Sequence, residues 1–422
     1  MTDYTNWTKE DLIKRIRELE EVGGSKDVTR DENATPAKKQ KKSIDFSKFS
    51  TRHVAIRFAY VGWNYSGLAV QINDPKLATV EGEILKAMQQ SKLIRTADPN
   101  DCDFSRCGRT DKGVSAFRQV ISLRVRSLLT PEEQADPEND KRELDYLHIL
   151  NQLLPQDIRL YEICLRPPEG FDARFSCTYR HYKYFFHAGD VNIELMDQAA
   201  KMFLGEHDFR NFCKVDGSKQ ISNFKRTVMS SSILKVEGDD QLFCFDLKGT
   251  AFLWHQVRSM IAILFLVGQG FEKPSIIEDL LDVEFTPRRP NYEMAADIPL
   301  VLFDCGFPEM EWLSFKTQDS LVRLENSLFT FWHEAWMKYT MISIMSAVVD
   351  TLVKPPYAPS VKPENDTKVA LKLGSGKGKS LTRYVPLKDR TTVDTPDVIN
   401  QRWRKRKNRP LPGEVFSNDE TK

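Results

Sequence analysis

Period-two alternation of apolar side chains, at three separated places, constrains this chain more than any other feature. His53 to Val61, HVAIRFAYV, sets Val54, Ile56, Phe58 and Tyr60 on one face. Gln119 to Val125 turns Ile121, Leu123 and Val125 to a core, while Ser122, Arg124 and the following Arg126 face away. RHYKYFFHAG sets Tyr182, Tyr184 and Phe186 on one face. Successive side chains of a strand point to opposite faces, so each segment predicts a half-buried strand. Helical patterns lie between them. Thr79 predicts an N-cap for VEGEILKAMQQ, with Val80, Ile84, Leu85 and Met88 inward. Asn192 to Phe203 reads as a helix, and LWHQVRSMIAILFLVGQG as a helix ended by glycine. FKRTVMSSSILKVEG and QLFCFDLKGTAF read as paired strands. This order predicts an α+β fold with a sheet layer. The two halves share a strand-and-helix character without a residue-level repeat.

With 422 residues, 41% hydrophobic content and 25 Phe, the chain can build two cores and carry extensions. Residues 1–50 read as an N-terminal helix, Thr8 to about Val22 with Leu12, Ile16 and Leu19 on one face, then a polar linker, Gly23 to Ser50, that carries PAKKQKK and is expected to be largely disordered. Residues 51–165 read as a first domain and 166–310 as a second. Residues 311–422 read as an extension: a long helical stretch through Leu321 to Leu352, then a Pro-, Gly- and Lys-rich tail with RWRKRKNRP. TPEEQADPENDKRE reads as a solvated acidic loop.

A net charge of +1 argues neither for nor against a nucleic-acid partner, because clustering decides. The seven cysteines are scattered without a C-x-x-C pair, which points to reduced thiols of the cytosol or nucleus rather than a disulfide framework or zinc site. The first twenty residues carry no apolar signal-peptide region, and YTMISIMSAVV falls short of the roughly 20 residues that cross a bilayer, so no membrane is expected. His181, His207 and His255 lack metal spacing and read as structural, while Phe104, Phe171 and Phe175 read as core. No phosphate-cradling G-x-x-x-x-G-K and no Ser-His-Asp spacing is present. Neither a metal nor a cofactor is expected.

What remains is CGRTDKGVSAFRQVISLRV, Cys107 to Val125. It sets one acid, Asp111, between Arg109-Thr110 and Lys112-Gly113, directly before a strand. A lone Asp beside an Arg is usually a salt bridge or a turn cap. Three features favour chemistry instead. The turn would hold Asp111 at a sheet end. The second half offers Tyr182 and Tyr184 on one strand. Arg258 starts an otherwise apolar helix, where a charge needs a partner. A carboxylate kept ionised by guanidinium groups can act as nucleophile or base, and aromatic rings beside it can stack a nucleobase.

These residues resemble the TruA family of tRNA pseudouridine synthases. GRTDKGVSA is similar to its signature, and four further segments follow in family order: YVGWNYSGLAVQ, FDARFSCTYRHYKY, GEHDFRNFCK and AFLWHQVRSMI, together spanning roughly Thr51 to Pro308. The resemblance implies two α+β domains joined in a mixed, mainly antiparallel sheet with a central RNA-binding cleft. It implies that Asp111 attacks the target uridine, forming a covalent or glycal-linked intermediate, that the uracil detaches from N1, turns and rejoins through C5, and that no cofactor takes part. It implies that Arg109 seats the flipped nucleotide, Tyr182 packs on the uracil and Arg258 pairs with Asp111. Tyr184 reads as packing behind Tyr182. Lys112 and Arg118 read either as solvated charges or as RNA contacts. RWRKRKNRP reads either as a localisation signal or as a phosphate-binding tail. Arg118 replaces a glycine common in the family, Ser259 an asparagine, and Ala262 a glycine. The N-terminal helix and the basic tail resemble the eukaryotic branch acting at uridines 38 and 39 of the anticodon stem-loop, with the multisite eukaryotic branch next nearest. The resemblance further implies a homodimer in nucleus and cytoplasm. A tRNA-binding or folding protein without chemistry is the contrasting reading, set back by the presence of Asp111, Tyr182 and Arg258 together.

Overall fold

Every alternating segment is a strand in the computed structural model, which describes residue 8 and residues 44–71, 74, 76–189, 191–352 and 369–411. The expected helix from Thr8 to Val22, apart from Thr8 itself, and all but the end of the linker lie outside the described residues. The compact unit runs Phe46–Lys422. Its strands are β1 (Ser50–Tyr60), β2 (Ser105–Arg106), β3 (Ser115–Ser127), β4 (Ile158–Cys164), β5 (Tyr179–His187), β6 (Gly205–Asp208), β7 (Lys225–Lys235), β8 (Leu242–Gly249), β9 (Leu300–Gly306), β10 (Val369–Lys372) and β11 (Gly378–Leu381). Its helices are α1 (Val80–Gln90), α2 (Pro131–Gln134), α3 (Tyr146–Asn151), α4 (Ile193–Lys201), α5 (Gln256–Gly268), α6 (Ile276–Leu281), α7 (Gln318–Leu352) and α8 (Pro396–Lys407).

Among the described residues, nine strands make one sheet in the order β4-β1-β3-β9-β5-β8-β7-β6, with β2 beside β3. Its pairings are antiparallel except for β3 with β9, where Ser115 faces Val301 and Ala116 faces Leu302. The fold is therefore α+β with a mixed, mainly antiparallel sheet. β9, which the sequence pattern did not single out, is the seam: it runs beside β3 of the first half and pairs with β5 of the second, Leu302 opposite Tyr182.

The core follows the alternation. Val54, Ile56, Phe58 and Tyr60 of β1 are buried, as are Val80, Ile84, Leu85 and Met88 of α1. Burial of each such side chain contributes roughly 1.5–3 kcal/mol. Thr79 caps α1 as its sequence predicts, accepting from the Gly82 amide. α5 is apolar all round because it is covered all round, Met260 to Val267 being buried throughout. It ends at Gly270, in the left-handed conformation at φ +75°.

Two expectations change. TPEEQADPENDKRE is largely exposed as expected, but it is not a plain loop: it forms α2 and a short 3-10 turn, Pro137–Arg142. Arg52 is buried, so it needs counter-charges, and it finds Asp140 at 3.1 Å and Glu143 at 3.3 Å. Residues 369–411 pack onto the unit. Leu371 and Leu387 are buried, and Glu272 accepts from the Tyr384 hydroxyl and the Leu387 amide at 2.6 and 2.7 Å. The long helical stretch is α7, held near its start by Ser320 to His148 at 2.8 Å and Ser327 to Arg159 at 2.6 Å. Among the described residues no helix is long and apolar enough to cross a membrane.

Candidate active site

The loop between β2 and β3 carries Asp111, and three neighbours fix its shape. Gln119 of β3 bonds both ends of Gly108, amide at 3.3 Å and carbonyl at 3.0 Å. Tyr60, at the end of β1, meets the Thr110 hydroxyl at 2.6 Å. The segment after β1 closes over the loop: the Leu68 amide donates to the Thr110 carbonyl, and Tyr65 accepts from the Gly113 amide, each at 3.2 Å. This is why YVGWNYSGLA and GRTDKG form one structural unit. Asp111 opens a turn closed by Val114, whose amide donates to its carbonyl at 3.2 Å. Gly113 takes φ +80°, and a Cβ there would stand 2.9 Å from the Asp297 carboxyl carbon, so both conformation and space demand glycine.

The Asp111 side chain keeps 30% of its surface exposed. Its partners come from the chain just before α5. Trp254 Nε1 donates to Oδ1 at 3.2 Å, and His255 Nε2 lies 3.4 Å from Oδ2. His255 adopts φ +61°, a left-handed conformation that costs a non-glycine residue on the order of 1 kcal/mol. Burial lowers its pKa, and Arg258, Lys214 and Arg289 add to that against the pull of Asp111. The lowered pKa favours the neutral imidazole at pH 7.

The candidate residues divide. Arg109 and Lys112 are exposed and form no ion pair among the described residues. Arg118 is exposed, 3.6 Å from Asp304. Tyr182 is 8% exposed, its ring edge-on to Phe252 at 5.2 Å, and burial pushes its phenol up. It faces Leu302, which lies 3.9 Å from where a Cβ on Gly108 would stand, so this tyrosine sits beneath the loop. Tyr184 is fully buried against Phe265, in line with the packing reading. The expected pairing of Arg258 with Asp111 is not among the ion pairs of the described residues. Its Nε donates instead to the Ala295 carbonyl at 2.8 Å. In the first turn of α5 its side chain is engaged by that backbone, and Trp254 and His255 take the carboxylate. His255, read from its spacing as structural, belongs to the site, and Trp254 was not singled out. Both were expected inside the helix, whereas they precede it. A helix start with no Ser, Thr, Asp or Asn to cap it was the available signal. Phe171 is buried and Phe104 half-buried, but Phe175 is 79% exposed: Asp172 bonds the Arg174 and Phe175 amides in a tight turn that throws the ring outward.

Cysteines scattered in sequence converge below the loop. The sulfurs of Cys107, Cys177 and Cys305 lie within 4.8 Å of one another, a set whose thiolates could hold a soft metal ion. Hydrogen bonds from Cys107 and Cys305 lower the pKa of Cys177 and raise their own.

A fixed, partly exposed carboxylate two residues from an arginine with no ion-pair partner among the described residues, on a loop of the sheet that joins two α+β halves, is an arrangement that can serve as a nucleophile. The family model for tRNA pseudouridine synthase matches residues 199–308. The chain belongs to the tRNA pseudouridine synthases, a family of isomerases. It is 52% identical to the tRNA pseudouridine(38/39) synthase of Saccharomyces cerevisiae, over 96% of this chain and 92% of that one. It is 44% identical to the human tRNA pseudouridine(38/39) synthase, over 72% of this chain and 67% of that one. The tRNA pseudouridine synthase A of Methanococcoides burtonii is 32% identical over 62% of this chain and 85% of its own.

Proposed function

We propose that this protein isomerises uridine to pseudouridine at positions 38 and 39 of tRNA, with Asp111 as the group that attacks the target uridine. The observation that carries the reading is the placement of Asp111: a carboxylate on a loop fixed from three sides, 30% exposed and held by an indole N–H. The positions follow from the names of the yeast and human relatives. The ribose bond to N1 breaks, the uracil turns, and the ribose rejoins through C5. One bond replaces another, so the balance needs no oxidant or cofactor. Arg109, exposed beside Asp111, seats the flipped nucleotide, with Lys112 and Arg118 on phosphates. Tyr182 packs against the uracil. Arg258 acts through His255, helping to keep it neutral.

The substrate is the anticodon stem-loop, and the working form is a homodimer. The dimer is supported by α7. Leu321, Leu328, Ala335, Ile342 and Val349 recur every seven residues, with Leu324, Phe331 and Met345 each three residues after one of them. Such a double series is the seam of paired helices. Most of these side chains are exposed, beside exposed Phe329, Trp332 and Trp336. A second copy of the same helix supplies the matching stripe. Nucleus and cytoplasm are the compartments this reading assigns, supported by seven free cysteines.

The test incubates wild type and Asp111→Asn with unmodified tRNA transcripts and maps pseudouridine at single-nucleotide resolution. Product at 38 or 39 with wild type alone is the expected result. Product elsewhere reassigns the positions. Wild type that binds tRNA without forming product, or Asp111→Asn that still forms it, overturns the reading.

A further inference from the structure

The basic segment near the end of the chain has no role in the chemistry above, and its position is informative. α8 carries Arg402, Arg404, Lys405, Arg406 and Lys407 against one acid, Asp397. It is docked, not trailing. Asn400 is 8% exposed, donates to the Ile221 carbonyl at 3.0 Å and accepts from Gln220 at 3.2 Å. Gly217 makes the approach possible, since a Cβ there would stand 2.8 Å from that of Trp403. Between α8 and the body runs an open groove of about 420 Å³, lined by Lys214, Trp254, Arg402, Trp403 and Arg406 among others. Trp254 is the same residue that bonds Asp111. Lys214 stands over its ring at 4.9 Å. One end of the groove is thus a single side chain from the reacting carboxylate, and the other is a helix face of cations.

We infer that this groove is a binding site for the phosphate backbone of the RNA flanking the target uridine, with Lys214, Arg402 and Arg406 as its phosphate contacts. The inference rests on the proposed activity for its substrate. Guanidinium groups pair with phosphate oxygens bidentately, and aromatic walls accept a base or sugar between them. The opposing charges are few: Asp216 bonds the Ser218 amide at one wall, and Asp394 pairs with Arg402 at 2.8 Å. Arg406 is exposed and has no ion-pair partner among the described residues, so its charge is available. An address read by a transport receptor is the other use of such a sequence. The docking of Asn400 and Trp403 favours RNA, because it fixes the cations in one geometry beside the site.

The test compares wild type with Arg406→Gln and with Lys214→Gln/Arg406→Gln in binding to an unmodified tRNA transcript over a salt series, and in steady-state kinetics. Arg406 is exposed, so the single variant keeps its melting temperature and remains readable if the double variant does not fold. Each lost contact flattens the slope of log affinity against log salt by about 0.7 to 0.9. We expect a several-fold rise in Kd and KM for each substitution, with kcat of Arg406→Gln unchanged at saturating tRNA. Unchanged affinity and slope overturn the inference, as does loss of nuclear accumulation by the tagged variant with unchanged tRNA binding. A wild type that forms no pseudouridine would remove the proposed activity, while the salt series would still read the groove.

Discussion

Trp254 and Asp111, 143 residues apart, meet in one hydrogen bond of 3.2 Å that ties the chain before α5 to the loop between β2 and β3. The bond orients the carboxylate through a neutral donor. Trp254→Phe keeps the ring that lines the groove and removes the donor. A hydrogen bond to a charged group contributes about 1.5–3 kcal/mol, and this one is partly exposed, so the lower end applies. We expect kcat to fall about tenfold, with tRNA affinity within twofold of wild type. Single-turnover pseudouridine formation at saturating enzyme measures it, and an unchanged rate would remove Trp254 from the site.

His255 predicts a dependence on pH. Its pKa in the fold is lowered, first by burial, from an unfolded value of about 6.5. Between those two values the unfolded chain binds the extra proton, so stability is fully present above about pH 6.5 and declines as the pH falls below it. His53, also lowered by burial, acts in the same sense. His255→Asn keeps a donor and cannot titrate. Its melting temperature should fall less than that of wild type between pH 7 and pH 5.5, and equal falls would place the acid sensitivity elsewhere.

Much of this was legible in the sequence, and the limits have physical causes. The alternation in β1, β3 and β5 and the cap at Thr79 are local signals, and each element formed where they placed it. The position of Asp111 on a glycine-flanked turn before a strand was equally local. β9 was missed because it opens on an unbroken apolar run, Leu300 to Phe303, without alternation, and its role depends on which strands it separates. Trp254 and His255 were missed because their meaning lies in a contact across the fold. Arg258 was expected on the carboxylate from the family resemblance, yet its guanidinium donates to a backbone carbonyl. Phe175 looked like core because it is phenylalanine, but the Asp172 turn decides where it points. In the tail, only tertiary packing separates a docked helix from a free basic segment.

The turn at Gly113 is a test of the loop itself. Gly113→Ala forces a side chain into φ +80° and against the Asp297 carboxylate, 2.9 Å away. Strain of this kind costs on the order of 1–3 kcal/mol. The loop must shift, and Asp111 with it, so activity should fall at least tenfold while circular dichroism stays native. An alanine variant with wild-type kcat would show that the turn tolerates a side chain.

Glu81 and Arg106 form a support beneath the site. Glu81 on α1 is 1% exposed and accepts from Arg106 of β2 at 2.6 Å. Its pKa is raised, mainly by burial, even with the arginine present. Arg106→Met leaves a buried carboxylate alone, at a cost of about 3–5 kcal/mol. Because the folded state then holds a proton more tightly than the unfolded one, the variant should regain stability as pH falls. Glu81→Gln/Arg106→Met should recover most of the loss at pH 7. Denaturant unfolding of the three proteins decides it: a single variant as stable as wild type would mean that the pair is dispensable.

The dimer reading makes its own prediction through α7. Leu328 and Ile342 occupy the same series of the seven-residue repeat and are both exposed, 44% and 60%. Glutamate at either position has room in a single copy, so the fold of the unit should be unaffected. In a seam between two copies, the glutamates would be buried among apolar side chains, and the one cation of the double series, Lys338, already pairs with Glu334 at 2.6 Å. Burial of an unpaired charge costs several kcal/mol per side, enough to separate a dimer of ordinary affinity. Leu328→Glu/Ile342→Glu should therefore elute as a monomer where wild type elutes as a dimer in size-exclusion chromatography with light scattering. If one tRNA spans both copies, the monomer should also lose affinity for full-length tRNA. A variant that remains dimeric would place the interface on another face, and a wild type that is monomeric at working concentration would remove the dimer from the proposal.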